Sequence, residues 1–257
     1  MKPPSKIALV GAGGISCHLL PILSFEADIV LIDGDTYEPE NSGRQFPALY
    51  GSSHGTNKAE YLTELQELRT THDITPLSCY MEGSSIVNYP EFQGVEMIIG
   101  AVDNNQSRKI ICEVADLLDI PAILAGNETN MGDAHLFLPG IYDPFEHHDF
   151  GPMTKAPFSC TSTEQLEKEP QTTQANFLAA SCAVHILMSW RTVSDPKYVT
   201  VYSNLDGRSC SRSSRMPDPR INVVMIPEVD ETIQNYLRDN LKRATPAGSC
   251  VDTSTEI

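Results

Sequence analysis

Short apolar runs, each bounded by polar or glycine residues, recur through the first half of the chain. Residues 6–10 (KIALV), 28–32 (DIVLI) and 95–102 (VEMIIGAV) are continuously apolar rather than amphipathic. Residues 121–125 (PAILA) and 134–138 follow the same pattern. Apolar runs of this length between polar boundaries predict strands that are buried within a sheet.

Segments with helical character lie between these runs. Residues 15–24 follow the first strand and residues 106–118 follow the third. Residues 56–68 (TNKAEYLTELQEL) have the spacing of an amphipathic helix, with Thr56 as the candidate N-cap. Because strand and helix alternate in this way over about 135 residues, the pattern predicts an α/β fold with a Rossmann-like, doubly wound and mostly parallel sheet.

The pattern changes after residue 138. Residues 139–174 are rich in Pro, His, Thr and Glu and lack periodicity, which predicts a long crossover-type loop. Residues 175–190 (ANFLAASCAVHILMSW) are apolar nearly all round and predict a buried helix. Cys182 lies on this helix and is expected to be a small buried hydrophobe.

A C-terminal extension is predicted beyond that helix. Two runs joined by Asp206-Gly207, residues 198–205 and 209–216, have the pattern of a β-hairpin, and residues 228–243 that of a helix. We expect one domain with four parts, namely a nucleotide-binding half (1–138), the loop (139–174), a C-terminal half (175–243) and a flexible tail (244–257).

The composition is that of a globular protein and narrows the possible functions. The chain is 40% hydrophobic and 20% charged, with a formal net charge of -16. Because nucleic acid phosphates are bound by a basic face, this charge argues against nucleic acid as the main partner. It still permits a local pocket in which a few basic side chains bind a small anion. No apolar run reaches the roughly twenty residues that span a bilayer, so no membrane partner is expected.

The cysteines give an expectation about location. All seven are scattered and none forms a CxxC pair. This arrangement is typical of reduced intracellular thiols rather than of a disulfide framework or a paired-cysteine zinc site. The chain passes from MKPPSK directly into its first predicted strand, which is not the pattern of a secretory signal. We therefore expect a cytoplasmic protein without structural zinc.

A glycine-rich turn follows the first predicted strand. Gly11, Gly13 and Gly14 precede a helix, so backbone N–H groups and the helix N-terminus can approach a phosphate. Ser16 replaces the third glycine of the usual dinucleotide motif, and Asp33 ends the second strand, where an acid commonly binds a ribose hydroxyl. These features alone fit NAD, FAD, a methyl donor or ATP, and also a tight turn without a ligand.

The stretch from residue 32 to residue 58, IDGDTYEPENSGRQFPALYGSSHGTNK, is more specific. Its order of D-x-D, N-x-x-R-Q and a later Lys resembles the ThiF, MoeB and ubiquitin-activating enzyme superfamily. A second motif of that superfamily, an Asp after a strand followed by Asn and then Arg, is similar to residues 103–108. The residues that carry the resemblance are Asp33, Asp35, Asn41, Arg44, Gln45, Lys58, Asp103, Asn104 and Arg108.

The resemblance implies a site that uses ATP and Mg²⁺ to adenylylate a carboxylate. In it Arg44 and Lys58 would bind phosphates, and Asp103 would hold Mg²⁺. Asp33 would bind the ribose, and Asn41 and Gln45 would position the phosphates. Asp35, Asn104 and Arg108 would be further site or support residues.

Each of these residues also has a purely structural interpretation. Arg44 and Lys58 could be solvated surface charges. Asp103 could be the N-cap of the helix at 106–118, and Arg108 could pair with a carboxylate on its own helix. The joint occurrence of these residues in this order favours the nucleotide site.

The resemblance also implies a catalytic cysteine, for which Cys160 in the sequence PFSCT is the candidate nucleophile. A nucleophilic thiolate needs a nearby cation, and Lys155 is the only candidate close in sequence. An incidental loop cysteine is the alternative. His147 and His148 are interpreted as solvated loop histidines rather than metal ligands. The chain has no paired CxxC motifs, with which many family members hold zinc, and we expect it to lack the N-terminal helix from which some bacterial relatives supply an Arg.

Three hypotheses about function follow. The first is adenylylation of the C-terminal carboxylate of a ubiquitin-like or sulfur-carrier protein, with thioester transfer to a cysteine as a further step, by a homodimer. The second is an NAD(P)-dependent oxidoreductase, which explains residues 11–33 but leaves Arg44, Lys58 and Asp103 without a role. The third is a non-catalytic, nucleotide-binding partner subunit.

Overall fold

The computed structural model describes residues 3–49, 51–67, 70–128, 130–148, 150, 172–192, 200–205 and 210–213. The strands within these residues form one sheet. They are β1 (Lys6–Val10), β2 (Asp28–Ile32), β3 (Ile74–Leu77), β4 (Met97–Gly100), β5 (Ala122–Glu128), β6 (Met131–Phe137), β7 (Thr200–Leu205) and β8 (Cys210–Ser213). Their order across the sheet is β3-β2-β1-β4-β5-β6-β7-β8.

Part of this sheet is parallel and part is antiparallel. Neighbours from β3 to β5 pair in parallel, with Ile7 of β1 opposite both Ile29 of β2 and Met97 of β4. The pairs from β5 to β8 are antiparallel. The chain leaves β1 toward β2 on one side and places β4 on the other, so the strand order reverses beside β1. Ligands of open α/β sheets bind in the crevice at such a reversal.

Helices cover both faces of the parallel part, as the sequence predicts. The described helices are α1 (Ser16–Leu23), α2 (Lys58–Glu67), α3 (Asn105–Leu118), α4 (Pro144–His147) and α5 (Thr173–Thr192). Ile7 and Leu9 of β1 belong to one buried cluster with side chains of α1, α2 and α5. Ala8 and Val10 belong to a second cluster with side chains of α3. A strand buried on both faces needs apolar residues at every position, which explains the continuous apolar runs.

Helix α5 lies directly against β6. A Cβ atom on Gly132 would overlap the backbone of Leu178 and Ala179, so glycine is required for this approach. Cys182 is 2% exposed and donates a hydrogen bond from Sγ to the carbonyl of Gly132 at 3.5 Å. The prediction of a buried helix carrying a buried Cys182 is confirmed, although Phe177 is 57% exposed on its outer side.

The local predictions differ from the structure at three places. Thr56 is not the N-cap of α2, because Oδ1 of Asn57 accepts from the backbone N–H groups of Ala59 (2.9 Å) and Glu60 (3.2 Å). Strand β3 was not predicted, since its sequence ITPL is short and contains a proline. Proline is tolerated there because β3 lies at the edge of the sheet among the described strands.

The third difference concerns the predicted loop at 139–174, of which residues 149 and 151–171 lie outside the described residues. Helix α4 forms within its first part, with Asp143 as N-cap. His148 is not a solvated histidine, because its Nε2 lies 3.1 Å from the hydroxyl of Tyr142 and 2.9 Å from that of Thr200. The predicted hairpin is confirmed in its described strands, where Leu205 of β7 pairs with Cys210 of β8. The helix predicted at 228–243 lies outside the described residues.

Candidate functional site

A cavity of about 640 Å³ opens at the carboxyl ends of β1, β2 and β4. Its position is the reversal of strand order, where the fold class places its ligands. Most of the candidate residues from the sequence line this cavity, although they come from segments far apart in the chain. They are Gly11, Gly13, Gly14, Asp33, Asp35, Asn41, Arg44, Gln45, Lys58, Asp103 and Asn104.

The glycine turn forms the floor of the cavity. Gly11 has φ +92°, and a Cβ atom there would lie 2.6 Å from the carbonyl oxygen of Ala101, so both the backbone conformation and the close approach need glycine. Ser16, at the position of the missing third glycine, donates a hydrogen bond to the carbonyl of Gly11. The hydroxyl of Tyr37 donates to the carbonyl of Ala12 at 3.2 Å. The turn is therefore fixed from two sides.

The N-terminus of α1 points toward the same place. Its N-cap position is Ile15, and no side chain caps it by a hydrogen bond. Its first turn also has no acidic residue. The first N–H groups of a helix lack partners within the helix and carry a partial positive charge. The N–H groups of Cys17 and His18 donate to the carbonyls of Gly13 (3.1 Å) and Ile15 (3.0 Å), so the donors left for an anion are those before Cys17.

Asp33 joins the glycine turn to the end of β2. Its Oδ2 accepts from the N–H of Ala12 at 2.6 Å, and its Oδ1 accepts from the N–H of Asp35 at 2.8 Å. Burial raises the pKa of Asp33, and the charge of Lys58 with these two hydrogen bonds opposes that rise. Because a carboxylate has about four acceptor positions, Asp33 can still accept from a ribose hydroxyl.

Lys58 is 8% exposed and lies at the first position of α2. Its ammonium group is 3.2 Å from Oδ2 of Asp35, and its backbone N–H donates to the carbonyl of Asp35 at 2.8 Å. The side-chain amide of Asn57 donates to the carbonyls of Asp33 (2.8 Å) and Asp35 (3.1 Å). Lys58 is therefore not a solvated surface charge, and the end of β2 is held to the start of α2.

Arg44 and Gln45 follow the 3-10 helical turn Pro39–Gly43. The carbonyl of Asn41 accepts from the N–H groups of Arg44 (3.1 Å) and Gln45 (2.9 Å), while Oδ1 of Asn41 accepts from the N–H of Glu38 at 3.0 Å. Within the described structure, Nε of Arg44 and Oε1 of Gln45 are buried and have no hydrogen-bond partner. Buried polar atoms are usually paired, so orphaned ones beside a cavity indicate a ligand position.

Asp103 and Asn104 lie just after β4. The N-cap of α3 is Asn104, whose Oδ1 accepts from the N–H of Ser107 at 2.7 Å. The alternative interpretation of Asp103 as the N-cap is therefore wrong. Asp103 is exposed and lines the cavity, so its carboxylate is accessible to a cation that approaches from there.

Arg108 does not line the cavity. Its guanidinium lies against Gly126 and 5.8 Å from the ring centre of Phe150. The nearby carboxylate is that of Asp133 on β6, not one on its own helix, and the charge of Arg108 contributes to the pKa of Asp133. The structure thus places Arg108 beside the cavity wall, at the end of β5, rather than among the residues that face a ligand.

The lining residues that were not identified from the sequence include Tyr80, Asn127 and Asn176. Tyr80 lies over Gly34, where a Cβ atom would be 2.6 Å from its ring, and its hydroxyl donates to Oδ1 of Asp35. Asn127 is the penultimate residue of β5, and Asn176 comes from α5. None of these residues belongs to a motif, and Asn176 is 132 positions from its partner Arg44, so no local signal marked them.

Three of the described cysteines are not activated as nucleophiles. Burial raises the pKa of Cys17 to about 12 and that of Cys112 to about 12. Cys79 lines the cavity, and burial raises its pKa as well. Since the thiolate is the reactive form, none of these three fits covalent transfer. Cys160 and its neighbour Lys155 lie outside the described residues.

The donor set of the cavity fits Mg²⁺ rather than a metal with a dedicated protein cage. Mg²⁺ takes one or two carboxylates and completes its shell with phosphate oxygens and water. Asp103 offers one accessible carboxylate at the cavity. Among the described residues, no group of three or more His, Cys, Asp and Glu side chains is placed to hold a metal ion.

Two further findings concern the whole chain. None of the helices among the described residues combines the length and the apolar character needed to cross a membrane. Residues 4–219 match the model of the ThiF family.

Curated relatives are enzymes that activate ubiquitin-like proteins. The chain is 30% identical over 145 residues to SUMO-activating enzyme subunit 2 of Dictyostelium discoideum, covering 55% of this chain and 22% of that protein. It is 30% identical over 153 residues to the NEDD8-activating enzyme E1 catalytic subunit of Schizosaccharomyces pombe, covering 55% of this chain and 33% of that protein. The chain thus spans between a fifth and a third of the length of these two relatives.

Solved structures share the fold. The E. coli MccB structure with MccA-N7isoASN has a TM-score of 0.64 and 18% identity, covering 85% of this chain and 66% of that one. The E. coli MccB structure with ATP has a TM-score of 0.56 and 20% identity, covering 85% of this chain and 65% of that one. With the family match over residues 4–219 and the same doubly wound sheet, the chain belongs to the ThiF family.

Proposed function

We propose that this chain uses ATP to adenylylate a carboxylate. An oxygen of the substrate carboxylate attacks the α-phosphorus, the bond from that phosphorus to the oxygen bridging to the β-phosphate breaks, and pyrophosphate leaves with the bonding electrons. The observation that carries this proposal is the convergence of the glycine turn, Arg44, Lys58 and Asp103 on one cavity. Membership of the ThiF family supports it.

The residues around the cavity suit a reaction that depends on positioning and charge neutralisation. Nucleotidyl transfer requires little proton transfer but concentrates negative charge on the phosphates. The open N-terminus of α1 offers backbone donors to that charge. Arg44 offers a planar guanidinium with a buried, unpaired Nε. Lys58 has three N–H donors, of which Asp35 occupies one.

Asp103 is the residue that would hold Mg²⁺ in this proposal. The bound ion would supply neutralisation of the phosphate oxygens. Asp33, fixed by the N–H groups of Ala12 and Asp35, would accept from the ribose and keep the nucleotide in register with the glycine turn. Asn41 and Gln45 would position the phosphates, Asn41 by holding the turn that carries Arg44.

The substrate class proposed is the C-terminal carboxylate of a ubiquitin-like protein, a sulfur-carrier protein or a peptide. The names of the relatives support this class, because they are SUMO- and NEDD8-activating enzymes, and MccB was solved with a form of MccA. Thioester transfer to Cys160, a homodimeric assembly and a cytoplasmic location belong to the same proposal.

A nicotinamide-dependent oxidoreductase explains less of the cavity. It would use the glycine turn and Asp33 but would give no role to Arg44, Lys58 and Asp103, which line the same cavity. No contact in the described residues favours it.

The two functions differ in the nucleotide that binds. A ligand that binds only the native state raises the midpoint temperature of thermal unfolding by mass action. We expect Mg-ATP to raise the midpoint of the wild-type chain and NAD(H) to leave it unchanged. The substitutions Arg44→Ala and Asp103→Ala should remove most of the Mg-ATP shift, whereas Asp116→Ala, on the exposed side of α3, should retain it. Stabilisation by NAD(H) without stabilisation by Mg-ATP would contradict the proposal.

A further inference from the structure

The amide of Asn176 lies between three parts of the cavity wall. Asn176 belongs to the first turn of α5 and is 2% exposed. Its Nδ2 donates to the carbonyl of Arg44 at 3.1 Å, and its Oδ1 accepts from Nδ2 of Asn127 at 3.1 Å. A buried amide that links two segments so distant in sequence fixes their separation.

The same amide also lies against the glycine turn. A Cβ atom on Gly14 would overlap Nδ2 of Asn176, so the absence of a side chain at Gly14 makes room for this amide. The glycine of the dinucleotide motif that lets the backbone approach a phosphate is Gly13, so Gly14 needs a separate explanation. Because Gly14 has no side chain, the start of α5 packs directly against the turn.

Helix α5 is a rigid support for this contact. Its backbone meets β6 at Gly132, where no Cβ atom fits. Ala179 and Ala183 on the same helix are fully buried. Because α5 cannot shift toward or away from the sheet without losing this packing, the position of Asn176 is set by the core.

We infer that Asn176 is a positioning residue for Arg44, an inference that rests on the proposed function. The hydrogen bond to the carbonyl of Arg44 fixes where its side chain begins, relative to the turn at Gly14. The guanidinium and the turn then face one polyphosphate at a set distance. The amide of Asn176 donates to the Arg44 carbonyl and accepts from Asn127 at the same time, which neither a carboxylate nor an alkyl group can do.

A double-mutant cycle distinguishes this role from a purely structural one. Isothermal titration with Mg-ATP is performed on the wild-type chain, Asn176→Ala, Arg44→Ala and the double variant. We expect Asn176→Ala to weaken Mg-ATP binding about tenfold in the wild-type background and less than about twofold in the Arg44→Ala background. Gln174→Ala, an exposed position in the same turn of α5, is the matched control and should bind as the wild type does.

A second variant covers the case in which Asn176→Ala does not fold. Asn176→Asp keeps the size and the acceptor for Asn127 but loses the donor to Arg44. We expect Asn176→Asp also to weaken Mg-ATP binding more in the wild-type background than in the Arg44→Ala background. Direct repulsion of ATP by the new charge would persist in the Arg44→Ala background. It can therefore be distinguished from the loss of Arg44 positioning.

The outcomes separate the two proposals. If the wild-type chain does not bind Mg-ATP, the proposed function fails. If the wild type binds and Asn176→Ala binds equally well, the positioning role is overturned. A loss of the same size in both backgrounds also overturns it, because Asn176 would then act independently of Arg44.

Discussion

At the scale of single residues, three carboxylates near the cavity differ in what their oxygens contact. Both oxygens of Asp33 accept from backbone N–H groups, and Asp35 binds Lys58 and Tyr80. Asp103 is exposed at the cavity, after the end of β4. Asp33 and Asp35 hold segments of the protein together through these contacts, and the exposed Asp103 faces the cavity.

Asp133, which lies beside Arg108, allows a prediction about pH. Burial alone would raise its pKa, but the hydrogen bond from His135 and the charges of His135, Arg108 and His148 outweigh it, so the pKa of Asp133 is lowered. A carboxylate with a lowered pKa in the folded state stabilises that state above its unfolded pKa of about 3.9. This stabilisation is lost as the pH falls through the folded pKa.

We therefore compare the free energies of unfolding of the wild-type chain and Asp133→Asn by urea denaturation between pH 3 and pH 6. The advantage of the wild type should be largest at the upper end and should shrink on acidification below about pH 4. Asp116→Asn, which changes an exposed carboxylate on α3, serves as control. An advantage that is constant or increases on acidification would show that the charge of Asp133 is not favoured by folding.

At the scale of elements, the start of α2 connects helix capping to the site. Asn57 caps α2 through Oδ1 and holds the carbonyls of Asp33 and Asp35 through Nδ2. Loss of an N-cap side chain costs about 0.5–2 kcal/mol. The loss of unfolding free energy in Asn57→Ala should lie in the upper half of that range or above it, because the variant also loses two further hydrogen bonds.

The matched control for Asn57→Ala is Thr56→Ala, which removes the residue that the sequence pattern favoured as cap. Urea denaturation should give a change below about 0.5 kcal/mol for Thr56→Ala. A larger loss for Thr56→Ala than for Asn57→Ala would mean that the helix begins one residue earlier than in the structure.

The sequence predicted the elements whose pattern is dictated by burial. Strands β1, β2 and β4 are buried on both faces, so their apolar runs are continuous and recognisable. Strand β3 has only one buried residue, Leu77, and its pattern resembles that of a loop. Pairing with β2 defines it as a strand, and pairing is not visible in a single short segment.

The residues of the candidate site also divide into those that the sequence predicted and those that it did not. Gly11 and Asp33 were predicted from their places after the first and second strands, and Lys58 and Asp103 from the resemblance to the ThiF, MoeB and ubiquitin-activating enzyme superfamily. Asn176 was not, because its position depends on the packing of α5 against β6. The cap of α3 was also ambiguous, since both Asp103 and Asn104 are favourable N-cap residues, and only the backbone geometry assigns the role to Asn104.

At the scale of the whole molecule, the cavity is assembled from early and late parts of the described chain. The glycine turn and the residues after β2 and β4 come from the first half of the chain, and Asn176 comes from the helix after residue 171. The family match over residues 4–219 includes both parts. The proposed use of ATP therefore requires the correct packing of the later helix onto the earlier strands.

The central claim is that this cavity forms an acyl-adenylate. ATP–pyrophosphate exchange measures that step directly, with ubiquitin-like and sulfur-carrier proteins that end in a free carboxylate and the same proteins ending in a carboxamide. We predict exchange with at least one free carboxylate, no exchange with its carboxamide form, and loss of exchange in Arg44→Ala and Asp103→Ala with folding intact. Binding of Mg-ATP without any exchange, or exchange that both variants retain, would contradict the account.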